Sequence, residues 1–218
     1  MKVSSDMVFF ITGGARGLGE ATVRRLHKAG ARIAVADINP DDLGALKNEL
    51  KERIITFQCD VSKEEDVKKA VDGTVAVWGT IHVALACAGV SWPMLTLTSK
   101  ETLDVKKFQQ LMAINLYGSI FVAKYCSIHM AKNKPFNERG EKGVILFVSS
   151  VAAEEGQRGQ IAYSASKAAL NGLCLPMARD LGRFNIRVAA IAPGIFESPM
   201  SGMMSAKLRD RLNSDTPM

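Results

Sequence analysis

Tyr163 and Lys167 stand four residues apart in a stretch with helical patterning, Ala162 to Leu181. On a helix, positions i and i+4 share a face, so a phenol and an ammonium at this spacing can act together. A free tyrosine has a pKa of about 10, too high for ready proton transfer at neutral pH, and a neighbouring cation lowers it by favouring the phenolate. The pair is therefore expected to take a proton from an alcohol or to return one to a carbonyl. Ser150 precedes Tyr163 by 13 residues and, with Ser149, closes an apolar run that reads as a strand. A strand-end serine often serves only as a turn or cap, and a tyrosine–lysine spacing of this kind is common by chance. Their order, strand, serine, then helix with Tyr163 and Lys167, gives the set its meaning.

A second constellation lies near the start of the chain, Thr12-Gly-Gly-Ala-Arg-Gly-Leu-Gly19. It follows the strand-like Val8 to Thr12 and opens a helical pattern. In that setting Gly13 is expected to permit the sharp turn. Gly17 lets the backbone approach a pyrophosphate, Gly19 lets the helix pack on the strand, and Leu18 begins the helix whose N-terminus faces the phosphates. Asp37 ends the second strand, 18 residues after Gly19. A carboxylate there can accept hydrogen bonds from ribose hydroxyls and would repel a 2′-phosphate, so NAD is expected over NADP. Arg16 is the opposing feature, since a guanidinium could hold such a phosphate.

These residues need a scaffold, and the pattern supplies one. Strand-like segments at Val8–Thr12, Arg32–Asp37, Ile54–Cys59, Ile81–Ala86, Val144–Ser149 and Ile186–Ala192 alternate with helical ones at Leu18–Ala29, Pro40–Lys51, Lys63–Trp78, Phe108–Lys132 and Ala162–Leu181. Ser62 is expected to cap the third helix, with Glu65 as its capping-box partner. The alternation predicts a single α/β domain over 1–218: a doubly wound parallel sheet with helices on both faces, a Rossmann fold whose final strand is missing.

The net charge of +6 is spread along the chain without basic runs interleaved with aromatics, so no nucleic-acid partner is expected. No apolar run was expected to reach the length of a membrane span. The four cysteines, Cys59, Cys87, Cys126 and Cys174, form no C-x-x-C pair and read as reduced thiols of an intracellular compartment. His27, His82 and His129 lack metal-ligand spacing and read as surface or helix-end residues, so no metal is expected. Ser164 to Lys167 matches S-x-x-K without the companion motifs of a β-lactamase, and there is no G-x-S-x-G elbow.

Taken together, Thr12 to Gly19, Asp60-Val61, Cys87-Ala88-Gly89, Asn115, Ser150, Tyr163-Ser-Ala-Ser-Lys167 and Pro193-Gly194 resemble the short-chain dehydrogenase/reductase family over almost the whole chain. The resemblance implies an NAD-dependent oxidoreductase with Asn115, Ser150, Tyr163 and Lys167 as catalytic residues. It implies that Asp60 and Val61 bind the adenine, that Cys87, Ala88, Gly89 and Pro193 follow the cofactor, and that Asn115 holds a water in a proton relay through Lys167. Lys167 would also grip the nicotinamide ribose. Within the family, Ser149 to Gln160, Leu175 to Leu181 and Ile191 to Met200 resemble the type 2 3-hydroxyacyl-CoA dehydrogenases, which also oxidise hydroxysteroids. That resemblance implies Phe196 near the carboxamide, an acyl-CoA or steroid substrate, a homo-oligomer, and a mitochondrial matrix setting with the cytoplasm as the alternative. The sequence departs from the pattern at Ala86, where the family usually has asparagine.

Two other readings remain. One is an NADPH-dependent 3-oxoacyl-[acyl-carrier-protein] reductase, with which Arg16 is compatible and against which Asp37 and the segment around Phe196 count. The other is a non-catalytic NAD-binding scaffold, opposed by the intact tetrad. The Met200 to Met204 segment is expected to line an adaptable apolar pocket.

Overall fold

Alternation along the first strand determines the layering. In β1 (Val8–Thr12), Val8 and Phe10 face one side and Phe9 and Ile11 the other, and all four are buried. A strand apolar on both faces requires a layer of helices on each. In the computed structural model, which describes residues 3–202 together with Asp210 and Ser214, that requirement is met. β1 is joined by β2 (Arg32–Asp37), β3 (Ile54–Gln58), β4 (Val83–Ala86), β5 (Gly143–Val148) and β6 (Ile186–Ile191). All pairings are parallel, in the order β3-β2-β1-β4-β5-β6.

The helices α1 (Gly17–Lys28), α2 (Pro40–Leu50), α3 (Glu64–Trp78), α4 (Val105–Met112), α5 (Gly118–Met130) and α6 (Ile161–Gly182) connect the strands, and a short α7 (Pro199–Gly202) follows β6. Val23 of α1 and Leu43 and Leu46 of α2 cover the Phe9 and Ile11 side. Val67 and Val71 of α3, Val122 and Cys126 of α5 and Leu170 of α6 cover the Val8 and Phe10 side. The winding direction reverses between β1 and β4, which opens a crevice at their carboxyl ends, the position where ligands of open α/β sheets bind.

Two expectations are corrected. The helix expected at Phe108–Lys132 begins three residues earlier and is interrupted by a π-helical turn, Ala113–Tyr117, that centres on Asn115. Its 26 residues, Val105–Met130, are long and apolar enough to cross a membrane by length and composition only. Leu111, Val122, Cys126 and Met130 are nevertheless fully buried, as in the core helix of a soluble fold. Ser62 does not cap α3: its hydroxyl and its N–H both donate to Asp60 Oδ1, at 2.7 and 3.1 Å, and Lys63 takes the cap position without a side-chain bond. Both bonds turn Ser62 back onto its own preceding turn and away from the first-turn N–H groups of α3. Within Met200 to Met204, Met203 and Met204 lie outside the described residues.

His82 is not a surface residue. At the start of β4 it is half-buried, edge-on to Phe136, and its Nδ1 accepts the Val8 N–H at 3.0 Å. The ring must be neutral to accept this bond. Burial lowers its pKa below 6.5 and Arg32 lowers it further, with Asp6 opposing them. The unfolded chain thus binds a proton at higher pH than the folded one, and stability falls as pH drops through about 6.5. His82→Asn keeps a side-chain acceptor without titrating. Denaturant midpoints at pH 7.5 and 5.5 should show the wild type losing more than the variant, by less than about 1 kcal/mol because the ring is half exposed. Equal losses would exclude His82 as the acid-labile group.

Candidate active site

The loop between β1 and α1 is shaped by what it cannot contain. Gly13 has φ +65°, and a Cβ there would stand 2.6 Å from Ala88 Cα, so the loop lies directly on the segment leaving β4. Gly17 also has positive φ, +57°, and faces Ser198 and Pro199. The expected role of Gly19 is reassigned. Its absent side chain makes room for the Gly13 carbonyl, 2.1 Å from where a Cβ would be, and so closes the loop on itself. It is Gly14 whose missing side chain lets the loop pack on the strands, since a Cβ there would meet Val35 and Ile11. Arg16 occupies the N-cap of α1 without a side-chain cap bond, and Leu18 packs into the core behind it. The first-turn N–H groups therefore remain available to an anion. Together with the cradle at Gly13, this fits a dinucleotide pyrophosphate.

At the carboxyl end of β2, Asp37 Oδ2 accepts the Ala15 N–H at 3.0 Å and Oδ1 accepts the Asn39 N–H at 3.2 Å. The carboxylate expected at a ribose thus also fastens the glycine loop. Arg16 points outward and forms an ion pair with Asp42 on α2, so it is already committed to a carboxylate. Asp60 orders its own turn through Ser62 and lies 3.7 Å from the Lys63 ammonium. Val61 is 7% exposed and packs against Gly118.

Lys167 and Asn115 meet at Gly89, where a Cβ would stand 3.2 Å from Asn115 Oδ1 and 3.5 Å from Lys167 Nζ. Asn115 is fully buried, and its amide is held by protein groups. Oδ1 accepts the Val90 N–H at 2.8 Å, and Nδ2 donates to Val90 O and to Ser166 Oγ, each at 3.0 Å. This amide ties the segment after β4 to α6. Lys167 Nζ donates to Val148 O at 2.7 Å and stands 5.5 Å from the centre of the Tyr163 ring. Burial lowers the amine's pKa to about 8.

Burial also pushes the Tyr163 phenol above its ordinary value, and the Cys87 thiol pushes the same way, while a hydrogen bond from Ser150 pulls it down. Within the chain desolvation dominates, and Ser150 supplies the lowering. Ser150 Oγ accepts the Ala152 N–H at 3.1 Å, which leaves its own proton free for the phenol. Burial raises the Cys87 thiol to about 11, so it stays protonated. Pro193 O accepts the Val151 N–H at 3.0 Å and brings the strand after β5 back beside the site, whereas Phe196 is 53% exposed. Sequence reasoning missed Ser149 and Ser166. Both are buried, and each donates to a carbonyl of Lys167 or Tyr163. Single serines beside a recognised motif carried no signal of their own.

Residues 7–209 match the family model described as short chain dehydrogenase. A 3-hydroxyacyl-CoA dehydrogenase type-2 of Drosophila melanogaster is 38% identical over 97% of this chain and 84% of its own length. The Homo sapiens protein of that name is 38% identical over 97% of this chain and 81% of its own. The crystal structure of a 3-hydroxyacyl-CoA dehydrogenase type-2 from Mycobacterium avium superposes with a TM-score of 0.90 at 32% identity, covering 98% of this chain and 83% of that one.

Two glycine substitutions separate loop strain from site disturbance. Gly13→Ala forces a strained backbone and a backbone clash, and should cost about 1–3 kcal/mol in denaturant unfolding as well as dinucleotide binding. Gly89→Ala should unfold nearly as the wild type does yet weaken binding of NADH roughly tenfold or more, because the methyl presses on Asn115 and Lys167. A Gly89→Ala protein that binds NADH normally would show that this meeting point does not border the cofactor.

Proposed function

The chain belongs to the short-chain dehydrogenase family, and from that premise we propose that residues 1–218 form one oxidoreductase domain in which Tyr163 transfers the proton as a hydride passes between a secondary alcohol and NAD. The observation that carries this reading is the convergence of the Ser150 hydroxyl, the Tyr163 phenol and the Lys167 amine at the carboxyl edge of the sheet, beside the Gly13 and Gly89 cleft. The cofactor would supply a hydride acceptor and, when oxidised, a positive charge near the phenol.

Tyr163, as phenolate, takes the hydroxyl proton of the alcohol. Ser150 donates to the phenolate or to the substrate oxygen and holds it in line. Lys167, fixed by Val148, presents its remaining N–H groups to the ribose and is cationic below about pH 8. Asn115 positions Val90 and α6. Gly13, Gly17, Leu18 and Gly19 cradle the pyrophosphate; Asp37 takes the ribose; Asp60, Val61, Cys87, Ala88 and Gly89 flank the adenine and nicotinamide halves; Pro193 and Phe196 border the carboxamide.

NAD is preferred because a 2′-phosphate at this ribose would meet Asp37, while the nearby Arg16 is already paired with Asp42. The substrate class is a 3-hydroxyacyl-CoA or hydroxysteroid, supported by the names of the similar proteins. A homo-oligomer is supported by exposed apolar surface on the core helices, Leu175 on α6, Tyr117 at the end of the π-helical turn and Ile128 on α5. The mitochondrial matrix, with the cytoplasm as alternative, is the proposed compartment, and the four unpaired thiols suit either.

Tyr163→Phe should bind NADH within about threefold of wild type and lose about a thousandfold or more in turnover of acetoacetyl-CoA. Turnover retained within tenfold would remove the phenol from the reaction. With the wild type, kcat/KM should favour NADH over NADPH by about a hundredfold, and Asp37→Asn should narrow that ratio. Equal use of the two cofactors would point to the carrier-protein reductase reading.

A further inference from the structure

Two consecutive residues at the end of β5 hold two groups of α6. Val148 O accepts from Lys167 Nζ at 2.7 Å and Ser149 Oγ donates to Lys167 O at 3.0 Å, and the Ser150 hydroxyl that follows them lowers the pKa of the Tyr163 phenol. From the opposite side, Ser166 Oγ donates to Tyr163 O at 2.7 Å and accepts from Asn115 Nδ2 at 3.0 Å. Ser149 is 2% exposed and Ser166 0%, so neither hydroxyl reaches substrate. The two carbonyls lie within the α6 ladder, where each already has the N–H four residues on. The serine protons are not needed to satisfy them. A mid-helix serine commonly bonds back to its own helix. Ser166 differs by its second bond to the π-turn, and Ser149 by reaching from a strand to a helix.

We propose that Ser149 and Ser166 are positioning residues for proton transfer: they lock the first turns of α6 against β5 and against the Asn115 turn, and so set the approach of the Tyr163 phenol to Ser150. The inference rests on the proposed role of Tyr163. The titratable groups facing the phenol are Cys87, on the segment leaving β4, and Lys167, on its own helix. Loosening α6 weakens the action of Ser150, which among the described residues is the group that draws the phenol's pKa down.

The test uses the full chain with Ser149→Ala, Ser166→Ala and Ser149→Thr. It reads kcat, KM, NADH affinity, and the Tyr163 ionisation from ultraviolet titration taken as the difference from Tyr163→Phe. Each alanine variant should lose about ten- to a hundredfold in kcat, with KM and NADH affinity within about twofold, and its Tyr163 ionisation should move to higher pH. Ser149→Thr, which keeps the hydroxyl, should restore both. Alanine variants with unchanged kcat and unchanged Tyr163 ionisation would overturn the proposal whatever their thermal stability. So would a threonine variant as impaired as the alanine one. If Ser166→Ala does not fold, the Ser149 pair decides. If the wild type transfers no hydride, the oxidoreductase reading falls, and the Tyr163 titration alone judges the positioning.

Discussion

The end of β5 fixes the first turns of α6, and the rest of the site depends on that contact. Tyr163 and Lys167 share a helix face, but a helix can rotate or slide on a sheet. Val148 and Ser149 prevent this by taking hold of an amine and a backbone carbonyl in succession. Parallel pairing then carries the register inward, since β5 pairs with β4 and β4 with β1. The glycine loop after β1 and the proton-transfer groups after β5 are therefore parts of one rigid edge. Gly13 pressed on Ala88, and Gly89 between Asn115 and Lys167, are where the two halves touch.

Burial gives this edge its chemistry and also makes it demanding. Lys167 is 4% exposed, and the loss of water brings its pKa to about 8, close enough to physiological pH for its charge to depend on conditions. The same desolvation raises the phenol, so the chain's own groups do not make Tyr163 a strong base. The bond from Ser150 opposes that rise, and the positive charge of an oxidised nicotinamide would add to it. Proton transfer at neutral pH is thus a property of the assembled site rather than of the tyrosine–lysine pair alone.

Much of this was legible in the sequence because it follows from period and spacing. Val8 to Thr12 is apolar on both faces, and this announced a buried parallel strand. Gly13 and Gly17 stood where a turn into a helix needs positive φ. What was not legible arose from competition among neighbours. Ser62 looked like a cap, but its hydroxyl is drawn onto Asp60 and Lys63 stands at the cap position. Gly19 looked like a packing glycine, but its missing side chain serves the Gly13 carbonyl, and a loop's path back onto itself has no periodicity. The π-turn at Asn115 inserts one residue per turn without any Gly or Pro to mark it. Ser149 and Ser166 gain their meaning only when strand and helix are brought within hydrogen-bond distance.

The central claim is that a buried phenol, acted on by Ser150 and beside Lys167, is the group that exchanges the proton. The pH dependence of kcat for oxidation of a secondary alcohol at saturating NAD tests it most directly. The account predicts a rate that rises with pH to a plateau through a single ionisation well below the value of about 10 for free tyrosine. A rate independent of pH across the neutral range, with hydride transfer shown to limit it, would contradict the account.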